Sequence, residues 1–363
     1  MKGVARLQGP FRMRHGGALP QADIVYETWG TLSPGKDNAL LILTGLSPGA
    51  HARSSAEDST PGWGEEMVGP EQAIDTDRFF VVCVNSLGSC HGSTGAASID
   101  PRTGEPYRMS FPVLAIEDIA SAAREALRSL GITRLRALVG PSLGGMSALA
   151  YAILFPDEVD ALVTISSAAR ATPFAIAIRS VQREAIRSDP AWNGGDYTPP
   201  GPATGLRLAR KLGLITYRSA REWRERFARE RVDVQDVDPR EGPFGIEFEV
   251  EAYLEAHARK FAGHFDANCY LYLSRSMDLF DVAEHGGSVD AGLARIRASK
   301  ILVIGVETDF LFPLDQQEEI AAILRKQGRD VSFAALASLQ GHDSFLVDYD
   351  RFCPVVGEFL RGI

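Results

Sequence analysis

Short runs of apolar and β-branched residues occur in the first half of the chain and again near its end. Runs of this length that are apolar at nearly every position are typical of strands buried on both faces of a sheet. The pattern predicts strands at residues 22–30, 38–45, 78–85, 136–140, 161–166, 301–306 and 331–336.

Helical patterns separate or follow these runs. They occupy residues 113–131, 145–156, 314–328 and 349–362. Strands that alternate with helices in this way form a mainly parallel sheet with helices on both faces. The predicted fold class is therefore α/β.

The alternation stops after Ser166 and resumes near Lys300. The residues between them are rich in arginine and helical in pattern, and a turn-rich stretch at residues 189–205 interrupts them. We predict an α/β core made of residues 1–166 and 300–363. A helical cap, residues 167–299, is inserted between the two parts of that core.

Composition narrows the class of protein. The chain has 363 residues, of which 45% are hydrophobic and 23% charged, as expected for an ordered globular protein. The formal net charge is -9 without a long block of one sign, which argues against a nucleic-acid-binding tail or a polybasic membrane patch. No apolar run approaches the roughly 18 residues of a membrane span, and the first residues lack the apolar segment of a secretion signal. We expect a cytoplasmic protein.

The cysteines and histidines show no metal-binding spacing. The cysteines are scattered without a CxxC pair, and the seven histidines do not cluster with them. We expect neither a metal nor a permanently bound cofactor. The thiols expected to be reduced are Cys83, Cys90, Cys269 and Cys353.

One serine stands where a chain can expose a nucleophile. Residues 140–144 read Gly-Pro-Ser-Leu-Gly, a G-x-S-x-G sequence between a predicted strand and a predicted helix. In the nucleophile elbow of α/β-hydrolases the serine occupies a strained turn, and the glycines avoid clashes with the neighbouring strand and helix. Glycines can also simply form a turn, but this setting favours Ser142 as a nucleophile.

A serine hydroxyl becomes a nucleophile when a histidine takes its proton and a carboxylate orients that histidine. In α/β-hydrolases the order along the chain is serine, acid, histidine. Asp309 follows the predicted strand 301–306, and His342 follows the predicted strand 331–336. Both lie at the sheet edge where such sites are built. We predict a triad of Ser142, Asp309 and His342; Glu307 is a rival acid that lies closer to its strand.

Attack by Ser142 creates an oxyanion that two backbone N–H groups must stabilise. Loss of one such donor typically raises the barrier by about 2.7–4 kcal/mol. Position along the chain indicates the amides of Leu143, directly after the nucleophile, and Leu46, in the loop after the second core strand.

Beyond these residues, the chain resembles the homoserine O-acyltransferase family of α/β-hydrolase-fold enzymes over nearly its whole length. The matching segments, in order, are YETWGTL, GPEQAIDTDRFFVVCVNSLGSCHGSTG, GPSLGGMSALAYAILFPDEV, QREAIRSDPAWNGGDY, ARKLGLITYRS and GHDSFLVD. The resemblance implies acyl transfer from a coenzyme A thioester to the side-chain hydroxyl of an amino acid, through an acyl-Ser142 intermediate. It also implies a homodimer joined through the cap helices.

The resemblance further implies how the acceptor amino acid is held. In the family an arginine binds its carboxylate and an aspartate binds its ammonium group. The matching residues are Arg210, with Tyr217 two helical turns later on the same face, and Asp343 beside His342. Without the resemblance they would be interpreted as an ordinary surface arginine and a loop aspartate.

One departure from the family's acetyl-transferring, homoserine-using members concerns the acceptor. Those members typically have HALTGD in the oxyanion loop, whereas this chain has TGLSPG at residues 44–49. The changed loop resembles that of relatives that acylate L-serine. The residues expected to set acceptor specificity are Gly45, Leu46, Ser47 and Pro48.

A second departure concerns the donor. Arg179 stands in an apolar run where acetyl-using relatives usually carry asparagine. A charge in such a place needs a partner, and the acyl group of succinyl-CoA ends in a carboxylate that an arginine fork can bind. The alternative is an arginine that reaches the surface or pairs with a nearby acid such as Glu184.

These observations lead to one expected function and several rivals. We expect transfer of a succinyl group from succinyl-CoA, a substrate, to the hydroxyl of L-serine, towards cysteine biosynthesis. The nearest rivals acylate L-homoserine with a succinyl or acetyl group, towards methionine biosynthesis, because one methylene in a pocket is worth only about 1–3 kcal/mol. An esterase or thioesterase would use the same triad with water as acceptor, but has no need of Arg210, Tyr217 and Asp343. An inactive binding protein on this fold would not need the triad.

Overall fold

A computed structural model describes residues 1–233 and 239–363 of the chain. Within that part, an eight-stranded sheet forms the centre of the molecule. Its strands in chain order are β1 (Lys2–Arg6), β2 (Asp23–Trp29), β3 (Ala39–Leu43), β4 (Phe80–Val84), β5 (Ala137–Pro141), β6 (Ala161–Ile165), β7 (Lys300–Val306) and β8 (Asp330–Leu336). The seven predicted strands are confirmed as β2 to β8. Strand β1 escaped prediction because it is a mostly exposed edge strand with no apolar run.

The strand order across the sheet is β1-β2-β4-β3-β5-β6-β7-β8. Strand β2 runs antiparallel to its neighbours β1 and β4. The pairs from β4 across to β8 are all parallel. Parallel strands bring their carboxyl ends to one edge of the sheet, so the loops after β3, β5, β7 and β8 meet there.

Helices cover both faces of the sheet. Helices α1 (Ile116–Ser129) and α2 (Leu143–Leu154) share a buried apolar cluster with Leu138 and Leu162, on one face of the sheet. On the other face, Val139 and Val163 belong to a second buried cluster with helix α11 (Tyr349–Arg361). Alternate strand residues therefore enter opposite cores, and this explains why the strands are apolar at nearly every position. The α/β class and the α/β-hydrolase fold are confirmed.

The described residues between β6 and β7 include helices α3 (Pro173–Arg187), α4 (Ala203–Tyr217), α5 (Ala220–Phe227), α6 (Glu249–Ala262), α7 (Ala267–Leu279) and α8 (Val289–Leu293). Helix α3 packs against α4 and α7, and α4 packs against α6. The division into core and cap stays a prediction, and residues 234–238 of the predicted cap lie outside the described residues. The last helices of the chain are α9 (Leu314–Lys326), α10 (Ser344–Val347) and α11.

Local sequence signals explain where the helices around the site begin. Thr172 accepts the N–H of Ala175 with its side chain and is followed by Pro173, which suits the first turn of α3. Asp266 accepts the N–H of Cys269 in the same way at the start of α7. The turn-rich stretch 189–205 contains a 3₁₀ turn at Pro190–Gly195 and leads into α4.

The described part of the chain lacks membrane-spanning helices, metal-binding clusters and disulfides. Among its helices, none has the length and apolar character that a membrane crossing requires. Its His, Cys, Asp and Glu side chains form no group of three or more suited to a metal ion. The four cysteines are unpaired.

Candidate active site

Ser142 lies in a sharp turn between β5 and α2. Its backbone φ of 54° and ψ of -123° are strained for a residue that carries a side chain. A β-carbon on Gly140 would collide with the backbone of Gly144, and one on Gly144 would collide with the carbonyl of Leu43 at the end of β3. The glycines therefore allow strand, turn and helix to approach closely, with Ser142 at the tip of the turn.

Three polar side chains from three strand ends are connected by hydrogen bonds. Ser142 Oγ lies 2.8 Å from His342 Nε2, and His342 Nδ1 lies 2.7 Å from Asp309 Oδ2. All three residues are buried. A carboxylate at Nδ1 keeps the proton on that nitrogen, so Nε2 is free to accept the proton of Ser142. The rival acid, Glu307, is exposed to solvent.

The loop after β7 fixes both Asp309 and the ring of His342. Asp309 Oδ1 accepts the N–H of Leu311 at 3.0 Å and the N–H of Phe312 at 2.9 Å. These bonds leave Oδ2 for the histidine. The Phe312 ring stacks on the His342 ring with centroids 4.9 Å apart and an interplanar angle of 17°. The carboxylate and the imidazole are therefore both restricted in orientation.

The loop that carries His342 also contacts the cap. Gly341 has a φ of 65°, and a β-carbon there would crowd the backbone of Tyr217 and Ser219 at the end of α4. Ser219 Oγ donates a hydrogen bond to the carbonyl of Leu339 in the histidine loop. The Tyr217 ring lies 5.9 Å from the His342 ring, measured between centroids. The position of the histidine is thus coupled to the packing of the segment that joins α4 to α5.

Opposing effects act on the pKa of His342. Burial lowers it, but the charge of Asp309 and the hydrogen bond to that carboxylate raise it more, so the pKa lies above the ordinary value for histidine. Burial also raises the pKa of Asp343, although the charges of Arg218 and His342 lower it in part. The site therefore favours a protonated imidazole more than bulk water does.

The two amides predicted for the oxyanion stand close to the Ser142 turn. Leu143 follows the serine as the first residue of α2. Leu46 lies in the loop after β3, whose end is in close contact with Gly144. Among the backbone hydrogen bonds of the described residues, neither the N–H of Leu46 nor that of Leu143 has an acceptor. Their assignment to an oxyanion hole stays a proposal.

A cavity opens beside Ser142, between loops at the edge of the sheet and helices α3, α4 and α7. Its lining includes most of the residues that sequence reasoning assigned to the site: Gly45, Leu46, Ser47, Pro48, Ser142, Arg179, Tyr217, His342 and Asp343. Core loops and cap helices α3, α4 and α7 all contribute to this lining. The structure therefore brings together residues as far apart in sequence as Gly45 and Asp343.

Arg179 is 5% exposed, and its guanidinium faces an acid that the sequence did not indicate. Its Nε donates to Asp278 Oδ1 at 2.6 Å, so the partner is Asp278 on α7 and not Glu184. Its Nη2 is buried and lacks a hydrogen-bond acceptor among the described residues. Arg179 thus pairs with Asp278 through its Nε edge and also contributes to the lining of the cavity.

The three residues assigned to the acceptor lie in two layers. Tyr217 and Asp343 line the cavity, whereas Arg210 is not among the described residues that do so. The Arg210 guanidinium lies 5.7 Å from the centre of the Tyr217 ring and 4.6 Å from that of Phe261. Asp343 Oδ2 lies 3.3 Å from Arg218 Nε. The acceptor roles of these residues stay proposals.

Several lining residues were not predicted from the sequence. They are mostly apolar or aromatic and include Ile178, Gln182, Thr216, Tyr270, Met277, Leu311, Phe312, Phe345 and Leu346. Gln182 is the one a helical pattern could have indicated, because it lies three positions after Arg179 on α3. Most of the others flank predicted site residues in the same segments, whereas Tyr270 and Met277 reach the cavity because α7 packs against α3.

Comparison with known proteins identifies the family of the chain. Residues 51–348 match the family model described as the alpha/beta hydrolase fold. The chain is 58% identical over 356 residues to a protein named serine O-succinyltransferase from Litchfieldella anticariensis, covering 98% of this chain and 96% of the relative. It is 60% identical over 360 residues to another of that name from Frateuria aurantia, covering 98% of each.

Solved structures of similar proteins have the same overall fold. The homoserine O-acetyltransferase from Bacillus anthracis superposes with a TM-score of 0.90 at 29% identity, covering 99% of this chain and 98% of that one. A protein named esterase E22 superposes with a TM-score of 0.88 at 28% identity, covering 99% of this chain and 100% of that one. The chain therefore belongs to the α/β-hydrolase-fold family and, within it, to the family of the serine O-succinyltransferases that it matches along nearly its whole length.

Proposed function

We propose that this protein is a serine O-succinyltransferase, which transfers a succinyl group from succinyl-CoA to the hydroxyl of L-serine. The observation that carries the proposal is the cavity whose lining includes both Ser142 and Arg179. The hydroxyl suits an acyl-enzyme, and the guanidinium suits an acyl group that ends in a carboxylate. Relatives with 58% and 60% identity carry that name.

In the first half-reaction, Ser142 Oγ attacks the thioester carbonyl of succinyl-CoA while His342 Nε2 takes the serine proton. Asp309 stabilises the imidazolium that results. The N–H groups of Leu46 and Leu143 donate to the oxyanion of the tetrahedral intermediate. The carbon–sulfur bond then breaks, the thiolate of coenzyme A takes the proton from His342, and a succinyl ester remains on Ser142.

In the second half-reaction, the hydroxyl of L-serine attacks the succinyl ester. His342 Nε2 takes the proton of the incoming hydroxyl and returns it to Ser142 Oγ as the ester bond to the enzyme breaks. The products are O-succinylserine and the free enzyme, so protons and bonds balance over the cycle. This ping-pong sequence needs no bound metal or cofactor.

The acceptor sits on the side of Ser142 that Tyr217 and Asp343 line. Asp343 carries a negative charge that suits the ammonium group of an amino acid. Arg210, which lies behind Tyr217, supplies positive potential for the carboxylate. The loop at residues 45–48 borders the same cavity and sets the depth available to the side chain of the acceptor.

Two rival activities follow from the comparisons. The homoserine O-acetyltransferase fold match favours transfer to L-homoserine, and the match to esterase E22 favours transfer to water. Both matches are below 30% identity, whereas the relatives named serine O-succinyltransferase share 58% and 60%. The charged groups Arg179 and Asp343 in the cavity suit an anionic donor and an amino-acid acceptor, which an esterase does not require.

One assay separates these activities. Purified protein is incubated with succinyl-CoA or acetyl-CoA and with L-serine, L-homoserine or no acceptor, and the release of free thiol is followed. The highest kcat/KM is expected for succinyl-CoA with L-serine. A preference for L-homoserine would support the methionine-pathway rival. Release of thiol at the same rate without an acceptor would identify a thioesterase.

We also propose a cytoplasmic homodimer. Helices α3 and α4 pack together, and each exposes apolar side chains at two positions seven residues apart. Phe174 and Val181 on α3 are 50% and 53% exposed, and Leu208 and Ile215 on α4 are 53% and 45% exposed. Such a surface is costly to leave in water and suits a symmetric contact with a second copy.

A further inference from the structure

A cluster of charged side chains lies between helices α3 and α7, next to the cavity. Arg179 Nε donates to Asp278 Oδ1 at 2.6 Å, and Arg183 Nη2 lies 2.6 Å from Asp278 Oδ2. The side chains of Arg179, Arg183 and Asp278 are 6%, 13% and 2% exposed. Arg275 reaches Asp278 Oδ2 only at 4.0 Å and is 55% exposed.

The three buried members do not balance in charge. Two guanidinium groups share one carboxylate, so the buried part of the cluster has one excess positive charge. Arg183 has a further acceptor, because its Nη1 donates to Ser274 Oγ at 2.9 Å. Arg179 has none for Nη2, which is buried. The unsatisfied donor and the excess charge therefore fall on the one arginine that lines the cavity.

Asp278 itself is not among the described residues that line the cavity, although its neighbour Met277 is. It accepts from Nε, on the edge of the Arg179 guanidinium that also carries Nη2, and this leaves the opposite edge, at Nη1, without a carboxylate among the described residues. Because the guanidinium is rigid and planar, a contact at one edge also fixes the direction of its remaining N–H groups. Arg183 and Ser274 in turn restrict where the carboxylate of Asp278 can lie.

We propose that Asp278 is a positioning residue for donor selection: it holds the Nε edge of Arg179 so that the opposite edge of the guanidinium receives the distal carboxylate of the succinyl group. This inference rests on the proposed function. A succinyl carboxylate at that edge neutralises the excess charge of the cluster. An acetyl group leaves the excess charge unchanged, so the orientation of Arg179 matters for succinyl-CoA and not for acetyl-CoA.

A double-mutant cycle tests whether Asp278 acts through Arg179. The variants are Arg179→Asn, Asp278→Ala and the combination of both, and the measured quantity is the ratio of kcat/KM for succinyl-CoA to that for acetyl-CoA. Arg179→Asn is expected to lower the ratio by about 10- to 150-fold. Asp278→Ala is expected to lower it about tenfold, mainly through a higher KM for succinyl-CoA. In the Arg179→Asn background, Asp278→Ala should leave the ratio unchanged.

Two further variants exclude a purely structural effect. Asp278→Asn keeps an oxygen for Arg179 Nε and should retain more of the succinyl preference than Asp278→Ala. Glu255→Ala removes another buried acid of the cap, one that pairs with Arg207 and Lys211 and does not touch Arg179. It should lower the melting temperature without changing the donor ratio.

The outcomes separate this inference from the proposed function. If Arg179→Asn leaves the donor ratio unchanged, the proposed donor itself is wrong. If Arg179→Asn lowers the ratio and Asp278→Ala does not, only the positioning role of Asp278 is wrong. A higher succinyl preference in Asp278→Ala would also overturn that role, because it would mean that Asp278 competes with the acyl carboxylate for Arg179. Equal effects of Asp278→Ala in both backgrounds would show that it does not act through Arg179.

Discussion

Replacing Asp309 with asparagine tests the proposed triad with a change of one atom. Asp309 Oδ1 accepts two backbone N–H groups, from Leu311 and Phe312. In Asp309→Asn only the amide oxygen can accept these bonds, so the NH₂ group must face His342 Nδ1. The imidazole then accepts at Nδ1 and carries its proton on Nε2, the nitrogen 2.8 Å from Ser142 Oγ. A base in this tautomer cannot take the serine proton.

The expected loss is large because it removes the general base without disturbing the fold. Trapping the wrong tautomer typically lowers kcat about 10⁴-fold, equivalent to about 5 kcal/mol in the barrier. The assay is thiol release from succinyl-CoA with saturating L-serine, together with the melting temperature. The control is Glu307→Gln, which alters the exposed acid two positions earlier in the same loop. This control should retain nearly full activity.

The same variant should change the pH dependence. Only a neutral His342 can act as the base, so kcat/KM should rise with pH through its pKa, which Asp309 holds above the ordinary value of about 6.5. Without the carboxylate, burial and the charge of Arg179 lower the pKa of His342 against the charge of Asp343 alone, so the acid limb of the residual activity should move to lower pH. The reasoning is refuted if Asp309→Asn keeps more than about a tenth of kcat, or if Glu307→Gln loses as much.

The remaining predictions concern the nucleophile, the acceptor loop and the dimer. Ser142→Ala should abolish acyl transfer and leave the melting temperature unchanged, and substantial turnover by this variant would contradict an acyl-enzyme intermediate. Rapid mixing of the unchanged enzyme with succinyl-CoA, without an acceptor, should release about one thiol per active site. Replacing residues 45–48 with Ala-Leu-Thr-Gly should shift the preference from L-serine towards L-homoserine by about 1–3 kcal/mol, measured as the ratio of kcat/KM for the two acceptors. An unchanged ratio would show that this loop does not determine acceptor specificity. The pair Val181→Asp and Leu208→Asp should give a monomer by light scattering, whereas Val4→Asp, on β1, should not.

The order of elements could be predicted from the sequence because local patterns carry it. Strands such as 136–140 and 161–166 are apolar at nearly every position, and burial on both faces of a parallel sheet demands that composition. The turn at Ser142 was predictable for a similar reason. Only glycine tolerates the contacts that Gly140 and Gly144 make with backbone atoms, so the motif marks the geometry.

The partners of Ser142 could also be predicted from the sequence, because the fold restricts where they can lie. Loops after parallel strands meet at one edge of the sheet, which limits the choice to polar residues such as Asp309 and His342. The choice between Asp309 and Glu307 depended on where each side chain points. In the structure Asp309 faces His342 and Glu307 faces solvent.

Other features were decided by tertiary structure alone. Nothing near Arg179 in sequence indicates Asp278, which lies 99 positions later and meets it only because α3 packs against α7. On α4, Tyr217 lines the cavity, whereas Arg210 contacts the Tyr217 ring and is not among the described lining residues. The sequence by itself determined the strands, the elbow and the chemical types in the site, since these follow from local sterics and burial. The pairing of charges across the cap depends on long-range packing, which no local pattern carries.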